Sequence, residues 1–240
     1  MEKAIKREFI LHKQDAGWLL ASVGGAYGLG LLILKGMLLF FSNEAKQYVE
    51  FGSLFGAIVW LFMCGAIGTL QMSLGFNLAV SMGVTRKQFF WANFIATLTE
   101  FLFCGAFLIL LGMAERYLLT NWYPAFDIKT NMVSFLIRWW LPGGMCMAAF
   151  SSLQGICYLR VGKIFLWIEY GLVMFINFII TPVMRNKPQD AHSIWGIIRG
   201  AVKEFLFTTP YSYKVVLFLI LTIAFLIPAY LLSKRQKVTW

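Results

Sequence analysis

The stretch FGSLFGAIVWLFMCGAIGTLQMSL, residues 51–74, contains no lysine, arginine, aspartate or glutamate. As an α-helix it would be about 36 Å long, at a rise of about 1.5 Å per residue. The hydrocarbon core of a bilayer is about 30 Å thick, and a helix of roughly 20 apolar residues crosses it. Residues 51–74 are therefore predicted to form a transmembrane helix.

The rest of the 240-residue chain has the same character, with 60% hydrophobic and 13% charged residues. In lipid only helices and closed barrels satisfy the backbone, and the apolar runs lack the alternation of barrel strands. We predict an all-α membrane protein with one six-helix transmembrane domain over residues 17–240. Its predicted spans are residues 17–41, 51–74, 90–113, 133–158, 164–183 and 215–232.

The distribution of charge gives an orientation for these six spans. With the N-terminus inside, the inner segments carry eleven Lys and Arg against three acids, and the outer segments eight against six. Cytoplasmic loops are enriched in Lys and Arg, so both termini are predicted to be cytoplasmic. The expected location is the plasma membrane of a bacterium, as a multi-pass protein in contact with membrane lipids. Because the net charge of +10 is divided among loops, no nucleic-acid partner is expected.

Two flanking segments are predicted to be amphipathic. Residues 1–16 carry Ile5, Phe9 and Ile10 among charges, which is typical of a helix in the headgroup layer; a solvated basic tail is the alternative. Residues 184–213 form an outer hairpin with apolar residues at helical spacing. Within the first two predicted spans, Gly24 with Gly28 and Gly52 with Gly56 have the spacing that lets membrane helices approach closely.

Several kinds of chemistry lack their sequence motifs. The chain contains no GxxxxGK[ST] nucleotide loop, no HExxH and no GxSxG, and it has only two histidines. The cysteines lie within predicted spans and form no CxxC pair, so a disulfide framework or zinc site is not indicated. We therefore expect no enzyme activity, metal or cofactor in this chain.

The inner loop over residues 75–90 contains SMGVTRKQFF, residues 81–90, a run of helix-end signals. Gly83 suits the left-handed position that ends a helix, here a short one over residues 76–83. Thr85 and Gln88 form a T-x-x-Q capping box that starts the next helix. Val84 and Phe89 fall at the two positions of a hydrophobic staple.

Arg86 and Lys87 are not explained by this local pattern. They would occupy the first two positions of the new helix, where the positive end of the dipole disfavours a cation by about 0.3–1 kcal/mol. An anionic partner should offset this cost. Lipid headgroups and an acidic groove on a partner protein are the two alternatives.

The stretch FNLAVSMGVTRKQFFWAN, residues 76–93, resembles the inner loop of permease subunits of ATP-binding-cassette exporters of the type-2 family. In that family a G-[VI]-[ST]-R-[KR]-x-[FL]-F pattern closes the short helix that contacts the ATPase. The layout of six spans, an amphipathic N-terminal helix and a hydrophobic outer hairpin is also similar. About 18 residues carry the sequence resemblance, and the layout extends it to the whole chain.

The resemblance implies a function and roles for individual residues. The chain would be the permease subunit of an exporter, paired with a second, identical or homologous permease and with P-loop ATPase subunits that hold ATP and Mg²⁺. Many aromatic residues favour a hydrophobic or amphipathic cargo, such as a drug, a lipid-like molecule or an antimicrobial peptide. The residues expected to couple to the ATPase are Phe76, Leu78, Met82, Gly83, Val84, Thr85, Arg86 and Lys87, with Phe76, Leu78 and Met82 as apolar anchors.

Two glutamates inside predicted spans are further candidates, because ionisable groups are costly in lipid and are often functional. Glu100 and Glu169 would either pair with inner cations such as Arg160 or Lys163, or line a cavity for a cationic amphiphile. Lys35 and Arg138 lie near outer span ends, where their side chains can snorkel to water.

Two other classes of function compete with the exporter. A secondary transporter or channel would need broken helices and polar clusters at the midplane. Pro182 and Pro228 lie near span ends, which argues against it. A membrane assembly protein without transport is the third possibility.

Overall fold

A computed structural model describes residues 2–41, 47–122, 127–128, 131–162 and 210–236, with short helical pieces between 164 and 174. Apart from those pieces, the elements within the described residues are five long helices and one two-residue parallel strand pair. In chain order they are α1 Glu2–Phe41, β1 Gln47–Tyr48, α2 Phe51–Ser81, α3 Arg86–Trp122, β2 Asp127–Ile128, α4 Met132–Val161 and α5 Tyr211–Arg235.

All five helices are long and apolar enough to cross a membrane. They coincide with five of the six predicted spans, so a multi-pass helical membrane protein is confirmed at this level. Most of the predicted span over residues 164–183, including Glu169, lies outside the described residues. The same holds for residues 184–209 of the outer hairpin, and residues 210–213 belong to the start of α5.

Helix α1 differs from the prediction at its N-terminus. Its 40 residues form one helix of about 60 Å, so the segment before residue 17 continues into the first span without a break. The side chains of Glu8 and His12 are buried against the other helices. The structure does not confirm the interfacial interpretation of residues 1–16, which stays a prediction: Ile10 of this segment is exposed, while Glu8 and His12 have partners inside the bundle.

Side-chain contacts fix the direction of each helix. At one end of the bundle Arg7 of α1 contacts Met82, and Arg86 contacts Lys234 of α5. We call this the turn end, because it holds the connection between α2 and α3. At the other end, called the loop end, Tyr211 of α5 donates a hydrogen bond to a carbonyl of α4. Helices α4 and α5 consequently run parallel, each starting at the loop end.

Two buried carboxylates join the helices at the loop end. Glu115 of α3 accepts hydrogen bonds from the backbone N–H groups of Gly52, at 2.8 Å, and Ser53, at 2.7 Å. Glu50 accepts the N–H of Met132. Each carboxylate thus lies at a helix N-terminus, where orphan N–H groups and the helix dipole favour negative charge. Burial raises the pKa of the Glu50 carboxyl above its ordinary value.

Close approach of α1 and α2 depends on Gly30, which the sequence spacing did not indicate. A Cβ atom added at Gly30 would lie 2.5 Å from the carbonyl oxygen of Phe51. On α2, Gly52 and Gly56 are tightly packed against neighbouring side chains, as their spacing predicted. The structure does not confirm a close approach at Gly24 or Gly28, since a Cβ atom at either meets none of the described residues within 4 Å.

This contrast yields a stability prediction. Gly30→Ala forces α1 away from the backbone of α2, and overpacking of this kind costs about 1–3 kcal/mol. We expect the thermal unfolding midpoint in mild detergent to fall by several degrees. Gly24→Ala is the matched control and should leave the midpoint unchanged or slightly raised, because alanine favours the helix. Equal midpoints for the two variants would contradict the close approach at Gly30.

Candidate functional site at the turn end

The connection between α2 and α3 begins with a glycine helix stop. Gly83 has φ +80°, and its N–H donates to the Val80 carbonyl at 3.1 Å. The N–H of Val84 donates to the Ala79 carbonyl at 3.0 Å. These two bonds form a Schellman motif with glycine in the left-handed position. The predicted role of Gly83 is confirmed.

The start of α3 also follows the predicted pattern. Thr85 precedes the first helical residue, and its hydroxyl accepts the N–H of Gln88 at 3.3 Å, which is the N-cap half of the capping box. Val84 and Phe89 both belong to one apolar cluster, as a hydrophobic staple requires. The turn is therefore only a few residues long and has little conformational freedom.

The predicted short helix over residues 76–83 is not a separate element. It forms the last turns of the 31-residue helix α2. Phe76 is 0% exposed and makes an edge-to-face contact with Phe89 of α3, with ring centroids 5.7 Å apart. Phe76 therefore packs α2 against α3 and offers no surface to a partner, which corrects its predicted role as an anchor.

Other predicted coupling residues remain at the surface of the turn. Leu78 is 49% exposed and Met82 is 61% exposed. Lys87 is exposed as well. Two apolar side chains and one cation thus lie next to a rigid backbone turn.

Arg86 has a partner that the sequence did not indicate. Its guanidinium donates a hydrogen bond of 2.9 Å to the backbone carbonyl of Lys234, in the last turn of α5. Carbonyl groups at a helix C-terminus carry partial negative charge, so they favour a nearby cation. The Lys234 carbonyl therefore offsets much of the cost of placing the Arg86 cation at the N-terminus of α3.

A buried polar cluster lies below the turn, where α1, α2 and α3 meet. Gln71 of α2 is at its centre. Its side-chain amide donates to Glu100 at 2.9 Å and to Asp15 at 3.2 Å, and its carbonyl accepts the hydroxyl of Thr97 at 3.1 Å. We call Glu8, His12, Asp15, Gln71, Thr97 and Glu100 the polar cluster.

Within the polar cluster, His12 and Glu100 face each other. His12 Nδ1 lies 3.5 Å from Glu100 Oε1, and neither atom has a hydrogen-bond partner among the described residues. The two residues are 5% and 7% exposed. On its other side His12 Nε2 is 3.8 Å from a Glu8 oxygen, and Arg7 pairs with Glu8 at 2.7 Å. This arrangement can share a proton between imidazole and carboxylate.

The structure gives Glu100 other partners than the predicted Arg160, and the predicted Lys163 lies outside the described residues. Gln71 and His12 contact it, whereas Arg160 is an exposed residue in the last turn of α4. One sequence signal could have identified the cluster, namely polar residues within apolar helices. It gave no indication that α1 would bring His12 and Asp15 to them. Among the described residues no group of three or more His, Cys, Asp or Glu is arranged to hold a metal ion.

Gln71→Leu tests the importance of the polar cluster for stability. The substitution removes a donor from two carboxylates and an acceptor from Thr97, and each buried polar group left unpaired costs about 1–3 kcal/mol. A fall of several degrees in the unfolding midpoint is expected in mild detergent. Thr99→Val is the control, because Thr99 is exposed and bonds only within its own helix. Similar midpoints for both variants would show that the cluster contributes little.

Arg86 and Lys87 provide a second comparison. Arg86→Gln removes the charge-assisted bond to the end of α5, so we expect faster proteolysis at the C-terminal end and a lower unfolding midpoint. Lys87→Gln should change neither quantity, since the side chain is exposed. If the two variants behave alike, the bond between Arg86 and the Lys234 carbonyl does not hold α5 in place.

Comparison of the chain with known protein families, with curated proteins and with solved structures finds no match in any of the three.

Proposed function

We propose that this protein is the membrane-spanning permease subunit of an ATP-driven exporter, with ATP hydrolysed by a separate subunit. The observation that carries the proposal is the turn between α2 and α3. It presents Leu78, Met82 and Lys87 at the surface while its backbone is fixed by a helix cap on each side. A surface of this kind can receive a mechanical force and pass it to two helices.

The structure of α2 and α3 supports such transmission. The helices are continuous over 31 and 37 residues, and the contact between Phe76 and Phe89 holds them together next to the turn. A helix resists compression along its axis because every turn is hydrogen-bonded to the next. Displacement of the turn would therefore move both helices, including the parts that extend to the loop end.

Two further contacts link α1 and α5 to the same place. Arg7 of α1 lies 4.0 Å from the sulfur of Met82, and Arg86 binds the end of α5. The polar cluster joins α1, α2 and α3 just below. Motion that enters at the turn would consequently reach α1 and α5 as well as α2 and α3.

A sixth crossing is part of the proposal. Helix α4 ends at the turn end, where Gln236 contacts the Leu159 carbonyl, and α5 starts at the loop end beside Arg138. A chain that connects these two ends has to pass from one end of the bundle to the other. The predicted span over residues 164–183 would supply that crossing and leave both termini at the turn end, on the cytoplasmic side of the plasma membrane.

The exporter would work as a pair of permeases with two P-loop ATPase subunits, which would hold the ATP and Mg²⁺. Its cargo would be hydrophobic or amphipathic. The roles of Leu78 and Met82 would be apolar contacts with the ATPase, and Lys87 would contribute an electrostatic one. Arg86 would have a different role from the one first expected, because it holds the turn against α5.

A proton-coupled secondary transporter is a second candidate, and one observation favours it. His12 and Glu100 are buried opposite each other with facing atoms that lack hydrogen-bond partners in the described part of the chain. Such a pair could take up and release a proton during transport. Transport driven by a proton gradient in the absence of ATP would favour this candidate.

The exporter is tested by purifying the tagged chain from its native membranes in mild detergent. We expect a P-loop ATPase at a stoichiometric ratio, together with vanadate-sensitive ATP hydrolysis. Met82→Gln with Lys87→Gln should reduce the retained ATPase at least about fivefold, because both changes weaken the exposed contact surface at the turn.

Met113→Gln with Lys35→Gln is the matched control for that experiment. It makes the same two chemical changes at exposed residues toward the loop end of α3 and α1. The control should retain the ATPase as the unmodified chain does. Absence of an ATPase from all preparations, or equal loss in both double variants, would contradict the proposal that ATPase coupling occurs at the turn.

A further inference from the structure

A cavity of about 810 Å³ opens between α2, α4 and α5 toward the loop end. It lies at the far end of these helices from the turn. Its volume is within the range of about 300–1,000 Å³ that is typical of sites for small ligands. The described residues that line it include Trp60, Trp139, Trp140, Arg138, Lys214 and Phe218.

Aromatic rings form much of the wall. Trp139 contacts Tyr211 and Phe218, with ring centroids 5.5 Å and 5.1 Å apart. The indole N–H of Trp60 donates to the Phe101 carbonyl, and that of Trp140 to the Leu102 carbonyl. Because these two N–H groups are already used within the protein, the rings offer apolar surface to a ligand.

The charged residues of the cavity wall have one sign. Arg138 and Lys214 are cations, and the lining residues within the described part of the chain include no aspartate or glutamate. Arg138 lies about 9 Å along α4 from its first residue, and Lys214 about 5 Å along α5. Both therefore lie in the outermost turns of their helices, at the same end as Tyr211. The hydroxyl of Tyr211 donates to the Arg138 carbonyl and ties the two helices together there.

We propose that this cavity binds an anionic membrane lipid, with its phosphate between Arg138 and Lys214 and an acyl chain along the aromatic wall. Cations near the mouth and apolar rings deeper inside match the two parts of such a molecule. A cationic amphiphile would be repelled by both charged residues. The site differs from the polar cluster in position and in charge, and its existence does not depend on the transport function proposed above.

Snorkelling is the competing explanation for the two cations. A long cationic side chain near a helix end can reach the headgroup layer without forming a site. Lys35 of α1 and Arg116 of α3 are exposed cations toward the loop end that do not line the cavity. They provide a matched control pair, since snorkelling predicts that neutralising either pair of cations changes lipid binding equally.

The experiment uses the purified full-length chain in a neutral detergent, without ATP or an ATPase. Phosphatidylglycerol with brominated acyl chains is added, and quenching of tryptophan fluorescence reports the approach of bromine to the rings. We expect saturable quenching, with brominated phosphatidylcholine needing at least about ten times the concentration. Equal quenching by the two lipids would overturn the proposal, because it would show no preference for the anionic head group.

Charge-neutral variants locate the head-group contact. Arg138→Gln with Lys214→Gln should raise the half-saturating concentration of phosphatidylglycerol about tenfold. Lys35→Gln with Arg116→Gln should leave it within about twofold. Equal shifts in both double variants, or no shift in either, would assign the cations to snorkelling and contradict the site.

A third variant locates the acyl chain and keeps the test informative if the charge variants fold poorly. Trp139→Phe removes one reporter ring but keeps an aromatic wall, so binding should persist while the quenched fraction of fluorescence falls. An unchanged quenched fraction would place the bromine elsewhere on the protein and overturn the proposal. Size-exclusion profiles of each variant check that the fold is retained. Because no ATPase is present, failure here leaves the exporter proposal untouched.

Discussion

A buried carboxylate in this bundle has to find its hydrogen-bond donors inside the protein, since lipid supplies none. This constraint determines how the helices are joined. Glu115 satisfies it with two N–H groups at the start of α2, and one oxygen of Glu100 satisfies it with Gln71. The two arrangements lie toward opposite ends of the bundle. Between them the helices pack through apolar and small residues, which provide contact area but little directional preference.

The turn end gathers contacts from four helices within a small region. The helix cap at Gly83 and Thr85 fixes the backbone between α2 and α3, and Arg86 adds the end of α5. The N-terminal part of α1 contributes the other members of the polar cluster. These contacts attach α1, α2, α3 and α5 to one another near that end. In the proposed exporter, this shared attachment would pass a force applied at the turn to all four helices.

The outcome for individual residues shows which predictions the sequence could support. Gly83, Thr85 and Val84 act on amides and side chains within a few positions of the chain, so their roles were predictable from local order. Phe76 was assigned to a contact surface but is covered by Phe89 across the turn. Gly24 and Gly30 are chemically identical, and only the approach of α2 distinguishes them. The position of Arg86 at a helix N-terminus predicted an anionic partner outside the chain, whereas the structure shows the backbone carbonyl of Lys234 as an acceptor.

The sequence by itself determined that the chain forms long membrane-crossing helices, and where α2 stops and α3 begins. Hydrophobic length and helix capping depend on neighbouring residues, which the sequence lists in order. Tertiary structure alone decided that α1 is continuous and that α4 and α5 run parallel. It also decided that His12, Gln71 and Glu100 meet. Such contacts depend on which helix faces lie together, and that follows from packing and burial over the whole bundle.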